Sequence, residues 1–243
     1  MLSIVKREFK NYFSSPLGYV VMAILLAFSG SYYYEAFYNG YANMDYVFSA
    51  MITIILFVTP VLTMRLFSEE KRLKTDQLLM TAPVSISSIV LGKFFALVLY
   101  FLVFVAAMVV YNFVFFFFGA TPNMIIFFGN IIGILLFTSS LFAIGIFISA
   151  LTESQVVAAV GSFAVSFFLL IIESSQSASS TSVLSKIMNI TFIKTFCEWL
   201  SFSERYYSFA EGVFDIANFV FFLSIIVAFL FLTVRTLDRK RWA

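Results

Sequence analysis

The sequence predicts an all-α integral membrane protein with six transmembrane helices. An amphipathic interface helix precedes them, a charged helical segment lies on the cytoplasmic side, and short outer-face helices come before the last span. Three observations carry this prediction. Of the 243 residues, 62% are hydrophobic and only 12% charged, with a mean hydropathy of +1.01, whereas a soluble domain carries about 25% charged residues. Six apolar runs are long enough to cross about 30 Å of hydrocarbon, which takes about 20 helical residues. The basic residues gather on one side of those runs.

The spans are Leu17–Phe37, Tyr46–Met64, Lys93–Phe118, Met124–Ala150, Gln155–Ile172 and Ile216–Val234. They are continuous runs, without the short alternating pattern of barrel strands. With the amino terminus in the cytoplasm, the inner segments hold Lys6, Arg7, Lys10, Arg65, Lys71, Arg72, Lys74, Lys93, Arg235, Arg239, Lys240 and Arg241, which is 12 of the 15 basic residues. The outer segments keep Lys186, Lys194 and Arg205. That asymmetry predicts both termini inside. The first apolar run is too long for a cleaved signal peptide and has no small-residue cleavage site after it, so it is expected to remain.

Three segments lie outside the spans. In residues 1–15, Leu2, Val5, Phe9 and Tyr12 recur at helical spacing, with Phe13 beside them and Lys6, Arg7 and Lys10 off the stripe. This predicts a helix lying along the cytoplasmic leaflet with its cations near lipid phosphates, ended by Ser15 and Pro16. The inner connection, residues 65–85, is the most charged part of the chain. Glu69, Glu70 and Arg72 belong to its helix-favouring middle, and Thr75 or Asp76 caps a second short helix carrying Leu78, Leu79 and Met80. A run such as Glu69 to Lys74 alone reads as a solvated loop. The apolar triplet beside it needs lipid or a protein partner to cover it. The outer loop, residues 174–215, opens on a serine-rich linker and turns apolar through Leu184, Ile187, Phe192, Phe196 and Trp199, a spacing that predicts short helices too brief to span. Asp215 is placed to cap the sixth span.

The chain lacks the residues for most chemistry. It has no histidine, and its single cysteine, Cys197, can form neither an internal disulfide nor a multi-cysteine metal site. No ionisable residue lies near the centre of a span, which disfavours proton- or ion-coupled transport. The only Gly-Lys pair, Gly92-Lys93, is followed by Phe94 and preceded by Ser87 where a phosphate-binding loop needs glycine. No catalytic, cofactor-binding or metal residue is expected, nor a nucleic-acid partner. Small residues spaced for close helix packing mark Gly129, Gly133, Ala158, Ser162 and Ser166 as candidate contacts within the bundle or with a second copy, with spans four and five interior. Asn112, Asn130, Thr138, Ser139 and Ser140, with Ser162 and Ser166, are also polar candidates, for a substrate path or for a neighbouring helix.

Three stretches resemble the permease subunit of type-2 ABC exporters. Lys6-Arg7-Glu8-Phe9-Lys10-Asn11-Tyr12-Phe13-Ser14-Ser15-Pro16 is similar to the start of the gliding-motility-type branch. Glu69-Glu70-Lys71-Arg72 through Thr75, Leu78-Leu79 and Thr81-Ala82-Pro83-Val84-Ser85 resembles the family's coupling-helix region. Ser203-Glu204-Arg205-Tyr206-Tyr207 through Asp215 looks like the segment leading into that branch's last span. Where family members often carry glycine before the threonine, this chain has Lys74. The resemblance implies a single permease domain over residues 1–243 in a bacterial-type inner membrane, paired with a second copy or a homologous permease. A separate cytoplasmic ATP-binding subunit would bind ATP and magnesium and act on the coupling residues. Two competing readings are a non-transporting scaffold or sensor subunit using the same inner loop, and a sodium-coupled carrier working alone.

Overall fold

The structure is a computed structural model that describes residues 1–40, 45–75, 85–117, 123–177 and 201–241. Among the described residues there are nine helices and no strand: α1 (Leu2–Ser14), α2 (Pro16–Tyr38), α3 (Asp45–Thr63), α4 (Arg65–Arg72), α5 (Ile86–Phe117), α6 (Met124–Leu151), α7 (Gln155–Ser177), α8 (Phe202–Ala210) and α9 (Ile216–Arg241). Six segments are long and apolar enough to cross a membrane: α2, α3 continued into α4, α5, α6, α7 and α9.

Local chemistry sets the helix ends. Ser15 is extended, at φ −98° and ψ 140°, and its hydroxyl accepts from the Gly18 amide while Pro16 occupies the first turn of α2. Asn123 caps α6 through the Ile125 amide, and Asp215 caps α9 through the Ala217 amide, both at 2.9 Å. α5 begins at Ile86, seven residues before the expected Lys93. Ser85 ends the preceding loop by accepting from the Ser88 amide, so a polar first turn, not an apolar residue, starts the helix. That leaves Lys93 inside α5 and not at its start.

α6 is the centre of the bundle. It packs against α3, α4, α5, α7, α8 and α9, and 61% of its most apolar stretch is buried, as in α3, against 28% for α7 and 22% for α2. Span five, expected beside span four in the interior, is therefore peripheral within this chain. Its small residues Ala158, Ser162 and Ser166 are buried, while Val156, Val157, Val160, Phe167 and Phe168 are exposed on the other side. One face of α7 packs and the other is apolar surface of the kind hydrocarbon covers.

Gly129 and Gly133 form the seat for α8. A Cβ on Gly129 would lie 2.3 Å from the Phe209 carbonyl oxygen, and one on Gly133 would lie 2.9 Å from the Phe209 Cβ. The fully buried Tyr206 hydroxyl donates to Asn130 Oδ1 at 2.6 Å, and Asn130 Nδ2 donates to the Ile126 and Ala210 carbonyls. Asn130 thus serves a neighbouring helix. The expected short helices at residues 184–200 lie outside the described residues.

Because the new Cβ of Gly129→Ala meets backbone that cannot swing aside, the substitution should cost about 1–3 kcal/mol by forcing α8 off α6. Thermal unfolding in detergent checks this. An unchanged midpoint would contradict the seating of α8.

Candidate functional site

One end of the bundle concentrates most of the charge. There α1, α4 and α5 surround an open cavity of about 720 Å³ lined by Arg7, Glu8, Asn11, Tyr12, Arg65, Glu69, Glu70, Thr75 and Lys93, among others. Lys93 is the only charged residue of α5 and its side chain is 1% exposed. Its Nζ lies 2.7 Å from Glu70 Oε1 on α4, 2.9 Å from the Leu66 carbonyl oxygen and 3.6 Å from Glu8 Oε1 on α1. The ammonium also sits 5.1 Å from the centre of the Phe67 ring. The ammonium thus donates to a carboxylate and a carbonyl and has a second carboxylate close by, the company that a buried cation requires.

Glu8 completes the balance. Arg7 donates to it at 2.8 Å, so two cations stand against two carboxyls, of which Glu70 is pushed above its ordinary value by burial. Burial opposes ionisation of Glu8, but the attraction of Lys93 and Arg7 outweighs it and holds the carboxyl below its ordinary 4.5. Glu8 is therefore ionised at neutral pH. Arg65 and Glu69 pair along α4 at 3.1 Å, and Arg65 also donates to Ser15 at the α1–α2 break.

α4 is fastened on its other side to the end of α6. The Ser149 hydroxyl accepts from the Phe67 and Ser68 amides at 3.1 and 3.2 Å and donates to the Met64 carbonyl. These amides lie in the first turn of α4, and Met64 supplies no side-chain cap. Lys71 donates to the Ala150 carbonyl, a cation at the negative end of α6. The Met64 amide still bonds to the Pro60 carbonyl at 2.9 Å, so α3 runs into α4 without a loop.

α4 ends in a tight reversal. Thr75 N donates to the Glu70 carbonyl and Lys74 N to the Lys71 carbonyl, with Lys74 at a φ of 56°. The same pattern closes α8, where Gly212 takes the left-handed position at φ 78°. A lysine there costs about 1 kcal/mol or more relative to glycine's freedom. Lys74 stands where the resembled family often has glycine, and the geometry gives the reason for that preference.

The residues singled out from sequence fall as follows. Glu69 and Glu70 are in the ion pairs described, Arg72 and Thr75 are exposed, and Asp76, Leu78, Leu79 and Met80 lie outside the described residues. Val5 and Tyr12 are buried, and Phe9 and Phe13 pack partly buried against the core. The Tyr12 hydroxyl donates to the Leu62 carbonyl at 3.3 Å, and the Phe13 ring centre is 5.5 Å from that of Tyr100. The stripe expected to lie along lipid is therefore spent on α5 and the end of α3. Sequence reasoning missed Glu8, Lys93 and Ser149. Glu8 was detectable, since Val5, Glu8 and Tyr12 repeat at three and four, which puts a carboxylate on the packed face. Lys93 was detectable as the lone charge in an apolar helix.

Nothing in this arrangement pairs a nucleophile with a base, and among the described residues no three His, Cys, Asp or Glu side chains gather to hold a metal ion. Its capacity is mechanical, binding four helices at one end by charge and capping. A family model described as ABC-2 type transporter matches residues 1–174, which takes in α1 through most of α7. No curated protein matches the chain.

Removing Lys93 takes the buried cation from half-buried Glu70 and leaves buried Glu8 with Arg7 alone, so Lys93→Met should cost about 3–5 kcal/mol in thermal unfolding. Adding Glu8→Gln and Glu70→Gln should recover most of that loss. Strictly additive losses would mean that the three charges do not interact.

Proposed function

The chain belongs to the ABC-2 type transporter family, and on that premise we propose that it is a permease subunit through which a substrate is exported by ATP hydrolysis in a separate partner. The partner is a cytoplasmic ATP-binding subunit that holds ATP and magnesium. The permease pairs with a second copy or a homologous permease in a bacterial-type inner membrane, both termini in the cytoplasm. The orientation is supported by the 12-to-3 split of basic residues.

The observation that carries this reading is the attachment of α4. It is the continuation of α3, it is tied by Lys93 to α5 and α1, and it is capped by Ser149 of α6. A push on α4 would reach α3, α1, α5 and α6 directly through these contacts. Glu69, Glu70, Arg72, Thr75, Asp76, Leu78, Leu79 and Met80 form the surface on which the ATP-binding subunit acts, with the apolar triplet as its anchor. α1, with Val5, Phe9, Tyr12 and Phe13 against the bundle, braces that surface from the membrane side.

Native mass spectrometry after co-purification with the ATP-binding subunit tests the reading. We expect a two-plus-two complex for the wild type, lost in a Leu78→Asp, Leu79→Asp double variant that still elutes as a folded protein. A chain that binds no ATP-binding subunit, or binds it equally after the change, would contradict the coupling surface and favour the scaffold reading.

A further inference from the structure

α3 carries Pro60 in its last turn; proline has no amide proton, so the Leu56 carbonyl loses its helical partner. Beside this point α6 and α7 close in. A Cβ on Gly145 would lie 2.3 Å from Thr63 Oγ1, so α3 and α6 are in van der Waals contact there. Between them and α7 remains a small enclosed space lined by Thr59, Pro60, Thr63, Gly145, Ser162 and Ser166, among others.

Ser162 lines that space with a hydroxyl that has no hydrogen-bond partner, on a residue only 5% exposed. An orphaned buried hydroxyl costs about 1–3 kcal/mol. The space offers about 10 Å³ to the centre of a water-sized sphere, which is roughly what one water needs. Thr59 and Thr63 spend their protons on their own helix, Thr59 on the Ile55 carbonyl at 2.7 Å and Thr63 on the Thr59 carbonyl at 3.0 Å. Their oxygens keep free lone pairs. The wall therefore supplies one donor from Ser162 and two acceptors from α3, complementary to a molecule that accepts once and donates twice.

We propose that one ordered water occupies this space, accepting from Ser162 Oγ and donating to the hydroxyls of Thr59 and Thr63, so that α7 is bridged to α3 at its proline. A monovalent cation is the poorer fit, since no carboxylate lines the space and a cation offers no protons to those oxygens. The bridge joins α7 to α3 where the α3 ladder lacks a bond, letting it bend there without stranding a polar group. The inference stands apart from the transport reading, because it rests only on this packing.

A structure of the purified chain at a resolution that shows ordered water, with unfolding midpoints of wild type and Ser162→Ala, tests it. We expect a density peak within hydrogen-bond distance of Ser162 and a threonine hydroxyl, and a midpoint lowered by about 2–4 °C in Ser162→Ala. An empty space in the wild type would overturn the proposal, as would a midpoint that stays or rises on substitution, since deleting a truly orphaned hydroxyl costs nothing. A midpoint rising with sodium but not with choline chloride would overturn it in favour of a cation.

Discussion

The pairing of one buried ammonium governs this structure. Lys93 is held out of water in an otherwise apolar helix, and isolating such a charge costs several kcal/mol unless partners surround it. Glu70, the Leu66 carbonyl and Glu8 are those partners, and they come from two helices, α4 and α1, at one end of the bundle. Meeting the needs of Lys93 therefore dictates where α1 and α4 lie. The aromatic contacts of Tyr12 and Phe13 with Tyr100 and the close approach of Gly92 to Ile4 then fill the space that the charges define.

The second anchor works by capping instead of charge pairing. α4 is short, and a helix of eight residues has more unpaired end groups than its own turns can satisfy. Ser149 serves its first turn and Lys71 reaches the end of α6, so each helix completes the other's terminus. Together the anchors fix α4, the continuation of α3, on α1, α5 and α6.

Much of the fold was legible because crossing a membrane imposes a length and an apolarity that few residues can imitate. The expected span starts lie within a residue of the helix starts except for α5, which begins seven residues before Lys93, while α7 and α9 run on past their expected ends at Ile172 and Val234. The site was less legible. Charges in a segment such as Glu69 to Lys74 usually face water, and only the folded arrangement tells that Glu70 turns inward to Lys93 while Arg72 stays exposed. Glu8 was hidden by reading α1 as a lipid-facing stripe, although its spacing from Val5 and Tyr12 put it on the packed face. The left-handed position of Lys74 carries no local signature of its own; Gly212 in the matching turn of α8 shows what the backbone there prefers. Small residues told where helices touch, but not which face of α7 remains bare.

If Lys93 is the joint that makes α1 and α4 a single unit, removing its charge must loosen both. Hydrogen–deuterium exchange of the whole chain in lipid nanodiscs, comparing wild type with Lys93→Met, reads this directly. The account predicts that amides of α1 and α4 lose protection together while those of α6 and α9 keep theirs. Unchanged protection in both, or a loss confined to one, would show that the two helices are held independently and that the ammonium is not the joint between them.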